Sequence, residues 1–150
     1  MTNNPDALLP SAKEVKQKIA LAEAEEAEKQ ARMRAEAQAE KKALIDHLSK
    51  PSGISEEEAI RRGIAIIERA IKNRLIEVEV FRFPNQLCTD KGRAINNQEP
   101  GWEKTLTGHP REIYHLWEKY LRPRGYKLKA QVMDFPGGTP GDIGITLSWS

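Results

Sequence analysis

Two short stretches carry residue types whose spacing permits chemistry. The first is Pro136-Gly-Gly-Thr-Pro-Gly141, flanked by Asp134 and Asp142. Successive backbone N–H groups at Gly137 and Gly138 would cradle an anion. No Gly-Lys-Ser/Thr follows, so a phosphate loop of the Walker type is excluded. The two aspartates would alternatively hold a cation at the mouth of a hairpin, which makes them weak metal candidates. A simpler expectation stands against both: glycine and proline build a turn, and the aspartates cap it. The second stretch is basic. It holds Arg122, Arg124, Lys127 and Lys129, with Arg111 and Lys119 nearby and Tyr120 and Tyr126 interleaved. Such a set suits phosphate backbones and stacked bases, so nucleic acid is a possible partner. Lys and Arg are equally ordinary on a solvated sheet face and at a helix C-terminus.

Nucleophilic and metal chemistry have thinner support. Cys88 lies near Asp90 in a long irregular segment, residues 84–109, where pairing with His109 or His115 would be needed to activate it. No motif surrounds it, and an inert loop cysteine is the expectation. His47, His109 and His115 show no zinc spacing, and the last two, six residues apart, do not share a helix face. The same segment offers Arg93, Asn96, Asn97, Glu99 and Trp102 for polar recognition, although turn building explains the asparagines better. No catalytic residue, metal ligand or cofactor is assigned on this basis, and none of these sets completes the motif of a known family.

The elements that must position these residues follow from period and punctuation. Ser11-Ala-Lys-Glu14 is a capping box, and no Gly or Pro interrupts the chain from there to Ser49. About 38 residues of helix would run roughly 57 Å. Ala20, Ala24, Ala27, Ala31, Ala35 and Ala39 form a stripe along it, with larger apolar residues only near the ends. Pairs such as Glu14–Lys18, Glu25–Lys29 and Glu28–Arg32 run in the favourable sense. Two readings compete for this arm: a solvated helix held by propensity and ion pairs, or close association with a second copy, which alanine permits. The heptad pattern is too poor for a coiled coil.

Residues 51–54 are a linker, and Ser55-Glu-Glu-Glu58 caps a second helix reaching about Asn73. Ile60, Ile64, Ile67 and Ile71 form its core face. Gly63 is expected to permit close contact with a sheet. Leu75 to Phe83 alternates as a strand, with Ile76, Val78 and Val80 on the buried side and Glu77, Glu79 and Phe81 opposite. Arg93-Ala-Ile95 has the composition of a short strand. Pro110 opens a third helix in its first turn, with Trp117 and Tyr120 facing inward. Tyr126–Phe135 and Asp142–Trp149 are strands. Leu87, Ile95, Trp102 and Leu106 argue that the long segment between Phe83 and His109 is ordered.

The fold class is therefore α+β: residues 1–50 a helical arm with a polar lead at 1–10, and residues 55–150 a compact head of order α-β-loop-α-β-β. Composition agrees. The hydrophobic fraction is 39% and the charged fraction 31%, and all nine aromatics lie beyond residue 80, so only the second part has material for a sizeable core. A net charge of +2 creates no global field that would demand an acidic partner. One cysteine, no signal-like start and no long apolar run lead to the expectation of a soluble, cytoplasmic protein without membrane contact. The function expected first is a non-catalytic structural or interaction protein, a homo-oligomer or part of a larger assembly joined through the arm. A regulatory module using the Arg122–Lys129 edge and the Gly-Gly loop is the alternative, and an enzyme using residues 84–109 comes third.

Overall fold

The computed structural model describes residues 4–150, which fall into two compact units, one ending at Lys42 and the other spanning Ala43–Ser150. The first unit is almost entirely helix. After a short turn at Pro5–Leu8, helix α1 runs from Ala12 to Ser49. Ser11 starts it as expected, its Oγ accepting the Glu14 N–H at 3.1 Å. No residue of α1 is buried before Leu48, and Val15, Ile19, Leu21 and Met33 stay exposed. The ion pairs expected along it are not closed; between Ala12 and Lys42 its one side-chain to side-chain hydrogen bond is Gln30 Nε2 donating to Glu26 Oε1 at 3.3 Å.

The second unit is an antiparallel sheet flanked by helices. Strands β1 (Glu77–Phe83), β2 (Lys127–Val132) and β3 (Ile143–Ser148) pair in the order β1-β3-β2. The apolar residues of β3 dictate this order, since Ile143, Ile145 and Leu147 are all buried and belong in the middle of the sheet. Around them close Leu48 from the end of α1, Phe83, Leu87, Cys88, Ile95 and Leu106. Much of this core comes from the segment without clear period. It folds into short turns and a bridge between Cys88 and Leu106, so its apolar residues do find a place.

Several local expectations are corrected. The alternation of β1 is broken: Glu79 pairs with Thr146 and Phe81 with Ile145, which leaves Val80 as an extra, bulged residue. The bulge returns Phe81 and Phe83 to the face shared with Ile145 and Ile143, so Phe81 packs on the core and does not oppose it. Ile76 lies before the strand and is exposed. Arg93-Ala-Ile95 is not a strand but a helical turn, α3 (Arg93–Asn96). Asp90 causes this, because its carboxylate accepts the N–H groups of Gly92 at 3.0 Å and Ala94 at 2.8 Å, and Gly92 supplies a φ of 87°.

Helix α2 (Glu56–Lys72) begins with Ser55 Oγ accepting the Glu58 N–H at 3.1 Å. It is less of a core helix than its isoleucines imply, with Ile67 and Ala70 buried but Ile64 and Ile71 45% and 57% exposed. Helix α4 (Gly108–Leu116) continues through a wider π-helical turn at Trp117–Leu121 and a tight turn at Arg122–Arg124, and Gly125 ends it at a φ of 92°. Among the aromatic residues Phe83 alone is fully buried. Trp117 and Tyr120 sit at the margin of the core, where Trp117 Nε1 donates to the Tyr126 carbonyl at 3.0 Å.

Candidate functional site

Two neighbouring hollows of the head have room for a ligand: one of about 750 Å³ lies between Ile64, Ile71, Tyr120, Arg124 and Tyr126, and the other lies between α2, α4 and the inner face of the sheet. There a cavity of about 630 Å³ is walled by Ile60, Ile67, Phe81, Ile113, Leu116 and Leu147. That volume falls within the range of small-molecule sites. Residue size on α2 explains why the space exists. Ala59 and Gly63, one turn apart, line the cavity where bulkier side chains would have filled it. A Cβ built on Gly63 would meet nothing within 4 Å. Gly63 therefore leaves a gap; it does not serve the close helix–sheet contact expected of it.

One end of the cavity is polar. His47 and His109 stand edge to face there, with ring centroids 5.4 Å apart at 67°. Gly108 brings them together. Its φ is 59°, and a Cβ on it would overlap the Leu48 carbonyl oxygen and lie 2.9 Å from Ser49 Cα. Only glycine lets the start of α4 pass so close to the end of α1. His109 Nε2 is buried and has no hydrogen-bond partner, which leaves an unmet polar group facing a desolvation cost. Glu112, on the same wall, is engaged through Oε1 by the Ser52 N–H at 3.2 Å. Thr107, at the N-cap of α4, donates its hydroxyl to the Leu87 carbonyl and makes no side-chain cap, so the positive end of the helix dipole is not offset there.

Glu56 and Lys119, which also line the cavity, belong to a charged cluster. Glu56 accepts hydrogen bonds from the Tyr120 hydroxyl and from Lys119 Nζ at 3.1 Å. The Tyr120 bond, followed by that of Lys119, holds the Glu56 carboxyl below its ordinary range. The hydrogen bond of Lys119 with Tyr120, followed by that with Glu56, holds the Lys119 ammonium above its own.

The residues singled out from sequence are placed as follows. Asp134 and Asp142 do converge, but the cation between them is the protein's own. Arg82 Nε lies 3.1 Å from Asp142 and Arg82 Nη2 3.9 Å from Asp134. Asp134 also accepts the Asp142 N–H at 2.6 Å and so pins the hairpin's mouth. Among the described residues no group of three or more His, Cys, Asp or Glu is placed to hold a metal ion. Gly137 and Gly138 take φ of 63° and 83° in an exposed turn. The N–H group of Gly138 is taken by the Phe135 carbonyl and that of Thr139 by the Pro136 carbonyl.

The basic edge is internally matched. On the outer face of the sheet Glu77, Ser148 and Lys127 stand in register, as do Glu79, Thr146 and Lys129. A glutamate row thus faces the lysine row across the small residues of β3, and Lys129 Nζ reaches Glu77 at 3.3 Å. Arg122 lies over the Trp117 ring at 5.7 Å, and Arg124 donates to the Tyr120 carbonyl at 2.7 Å. Arg93 extends to Glu99 at 3.9 Å, and the Asn97 N–H closes α3 on the carbonyls of Arg93 and Ile95. Cys88 is a core residue, 2% exposed. Burial pushes its thiol up to about 11, Asp90 adds to this and the hydrogen bond with Thr105 opposes it. A thiolate nucleophile at neutral pH does not fit that setting.

Sequence reasoning missed the cavity. Two signals for it were present: the Ala59/Gly63 pair on an otherwise isoleucine-rich helix, and a glycine directly before His109. In comparison with known proteins, no family model, no curated protein and no solved structure matches this chain. No helix among the described residues is long and apolar enough to cross a membrane.

Proposed function

We propose that the chain is a non-catalytic structural or interaction protein that self-associates through its helical arm, as one component of a larger assembly. The observation that carries this reading is the helix from Ala12 to Lys42, which buries none of its residues. Most helical stability in proteins comes from tertiary packing of one face, and this stretch has none within the chain. The arm has no closed ion pair to compensate among the described residues, and its alanine stripe is a face on which another helix can approach closely.

Light scattering after size exclusion tests this on the full chain of 17.0 kDa. The expected mass is a multiple of the single chain, and the double substitution Ala27→Glu with Ala31→Glu is expected to return it to one chain. A version starting at Ala43 is expected to be monomeric as well. The cut belongs there and not at Ser55, because Leu48 is part of the head's core. A wild-type protein that runs as a single chain across micromolar concentrations would overturn the proposal.

A further inference from the structure

We infer that the partner of the arm is a second copy of this chain lying antiparallel to it, in a register that sets Glu23 against Arg34 of the second copy and Glu28 against its Arg32. This rests on the self-association proposed above and adds orientation and register to it. Methyl groups alone would not choose an orientation; the charges beside them do. Residues 23–28 hold Glu23, Glu25, Glu26 and Glu28 with no basic residue, and residues 29–34 hold Lys29, Arg32 and Arg34 with no acidic one. At 3.6 residues per turn, Glu23 and Arg34 fall on one flank of the alanine stripe and Glu28 and Arg32 on the other. All four are exposed, and none closes an ion pair among the described residues.

The stripe is also nearly symmetric about the point between Lys29 and Gln30. Ala20 and Ala39 lie equally far from it, as do Ala24 and Ala35. A two-fold axis there makes every contact reciprocal, so that Ala20 meets Ala39 and Ala24 meets Ala35, each twice. In an antiparallel pair, like flanks face each other. Glu23 then meets Arg34 and Glu28 meets Arg32, within about half a turn of the same register. In a parallel pair, unlike flanks face each other, which brings Glu28 of one copy to Glu23 of the other. Charges flanking an apolar seam set partner orientation in just this way. One like-charged meeting, Lys16 with Lys41, opposes the two of opposite sign.

Disulfide trapping in the full-length chain reads the orientation. Ala20→Cys and Ala39→Cys are oxidised separately and as an equimolar mixture; Cys88, 2% exposed, stays out of the reaction. Two copies of residue 20 are about 28 Å apart along the axis in the inferred pair, beyond the reach of a disulfide. Neither variant is therefore expected to link alone, and the mixture is expected to link one of each. The charge argument has its own readout. Glu23→Gln with Glu28→Gln is expected to raise the dissociation constant roughly fivefold or more at low salt, on the scale of exposed ion pairs. A parallel pair would instead tighten, because two repelling glutamates are gone.

Light scattering on the same samples separates the outcomes. A wild type that runs as a single chain overturns self-association and this register with it. A multimer in which Ala20→Cys links to itself, or the mixture fails to link, leaves self-association standing and overturns the antiparallel register. So does a glutamine variant that associates as tightly as the wild type or more so.

Discussion

Helices α1 and α2 begin in the same way and are used in opposite ways. Each starts at a serine whose Oγ accepts the N–H of a glutamate three residues on, at 3.1 Å in both. Beyond that first turn the side chains decide. From Ala12 to Lys42, α1 presents alanine and charge and buries nothing, whereas α2 presents isoleucine and covers Ile67 and Ala70 against the head. Burial at about 25 cal/mol per Å² separates a methyl group from a whole isoleucine side chain by more than any difference in their helix propensity. The comparison teaches that a strong helix signal says nothing about whether the helix belongs to a core. The size of the residues on its stripe does.

The largest effect that tests this contrast is a truncation in each setting. Leu48, at the carboxyl end of α1, is 6% exposed among Phe83, Leu87 and Ile145, while Met33 on the same helix is 58% exposed. Leu48→Ala is expected to cost about 2–5 kcal/mol of unfolding free energy, the range for a buried leucine. Met33→Ala is expected to stay within about 0.5 kcal/mol, as surface changes do. Urea unfolding followed by tryptophan fluorescence reads both, because every tryptophan lies in the head. Similar losses from the two substitutions would mean that the arm is packed after all.

The matched serines give a smaller and sharper comparison. Ser55→Ala removes the cap of a helix attached to the core and is expected to cost the head about 1 kcal/mol. Ser11→Ala removes the same bond from the arm. It is expected to fray the first turns, lowering amide protection near Val15, while the urea midpoint of the head stays where it was. A midpoint shift from Ser11→Ala equal to that from Ser55→Ala would join the two units into one cooperative structure.

Much of this architecture was legible because it rests on local rules. Ser11 and Ser55 marked two helix starts, Pro110 marked the first turn of a third, and Asp142–Trp149 read as a strand. The features that were not legible depend on partners distant in sequence. The bulge at Val80 exists because Phe81 and Phe83 must both meet the isoleucines of β3, and alternation within β1 alone put Phe81 on the wrong side. Arg82 occupies the space between Asp134 and Asp142, and nothing near the Gly-Gly loop indicated a guanidinium from β1. The match of Lys127 and Lys129 with Glu77 and Glu79 likewise needs the strand order β1-β3-β2. The cavity is harder still, since it consists of side chains that α2 lacks, and its polar end joins His47 to His109 across a glycine contact.

The smallest predicted effect concerns the rim of that cavity and is read as pH dependence. Glu56 has its carboxyl lowered by Tyr120 and Lys119, so its contribution to stability is present above the ordinary carboxylate range. It is lost as pH falls through the lowered value, because the unfolded chain takes up the proton first. Lys119 is raised by its hydrogen bonds with Tyr120 and then Glu56, so its contribution is present below the usual lysine range and fades as pH climbs through the raised value. Both side chains are more than half exposed, so water screens the pair and the effect is modest. Glu56→Gln is therefore expected to be slightly less stable than the wild type on a plateau between about pH 5 and pH 10. The gap should close toward pH 3, and other titrating groups cancel in the difference between the two proteins. Closure at the acid end would place the Glu56 contact in the folded head in solution. A gap of constant size from pH 3 to pH 7 would show that Glu56 is not held by Tyr120 and Lys119.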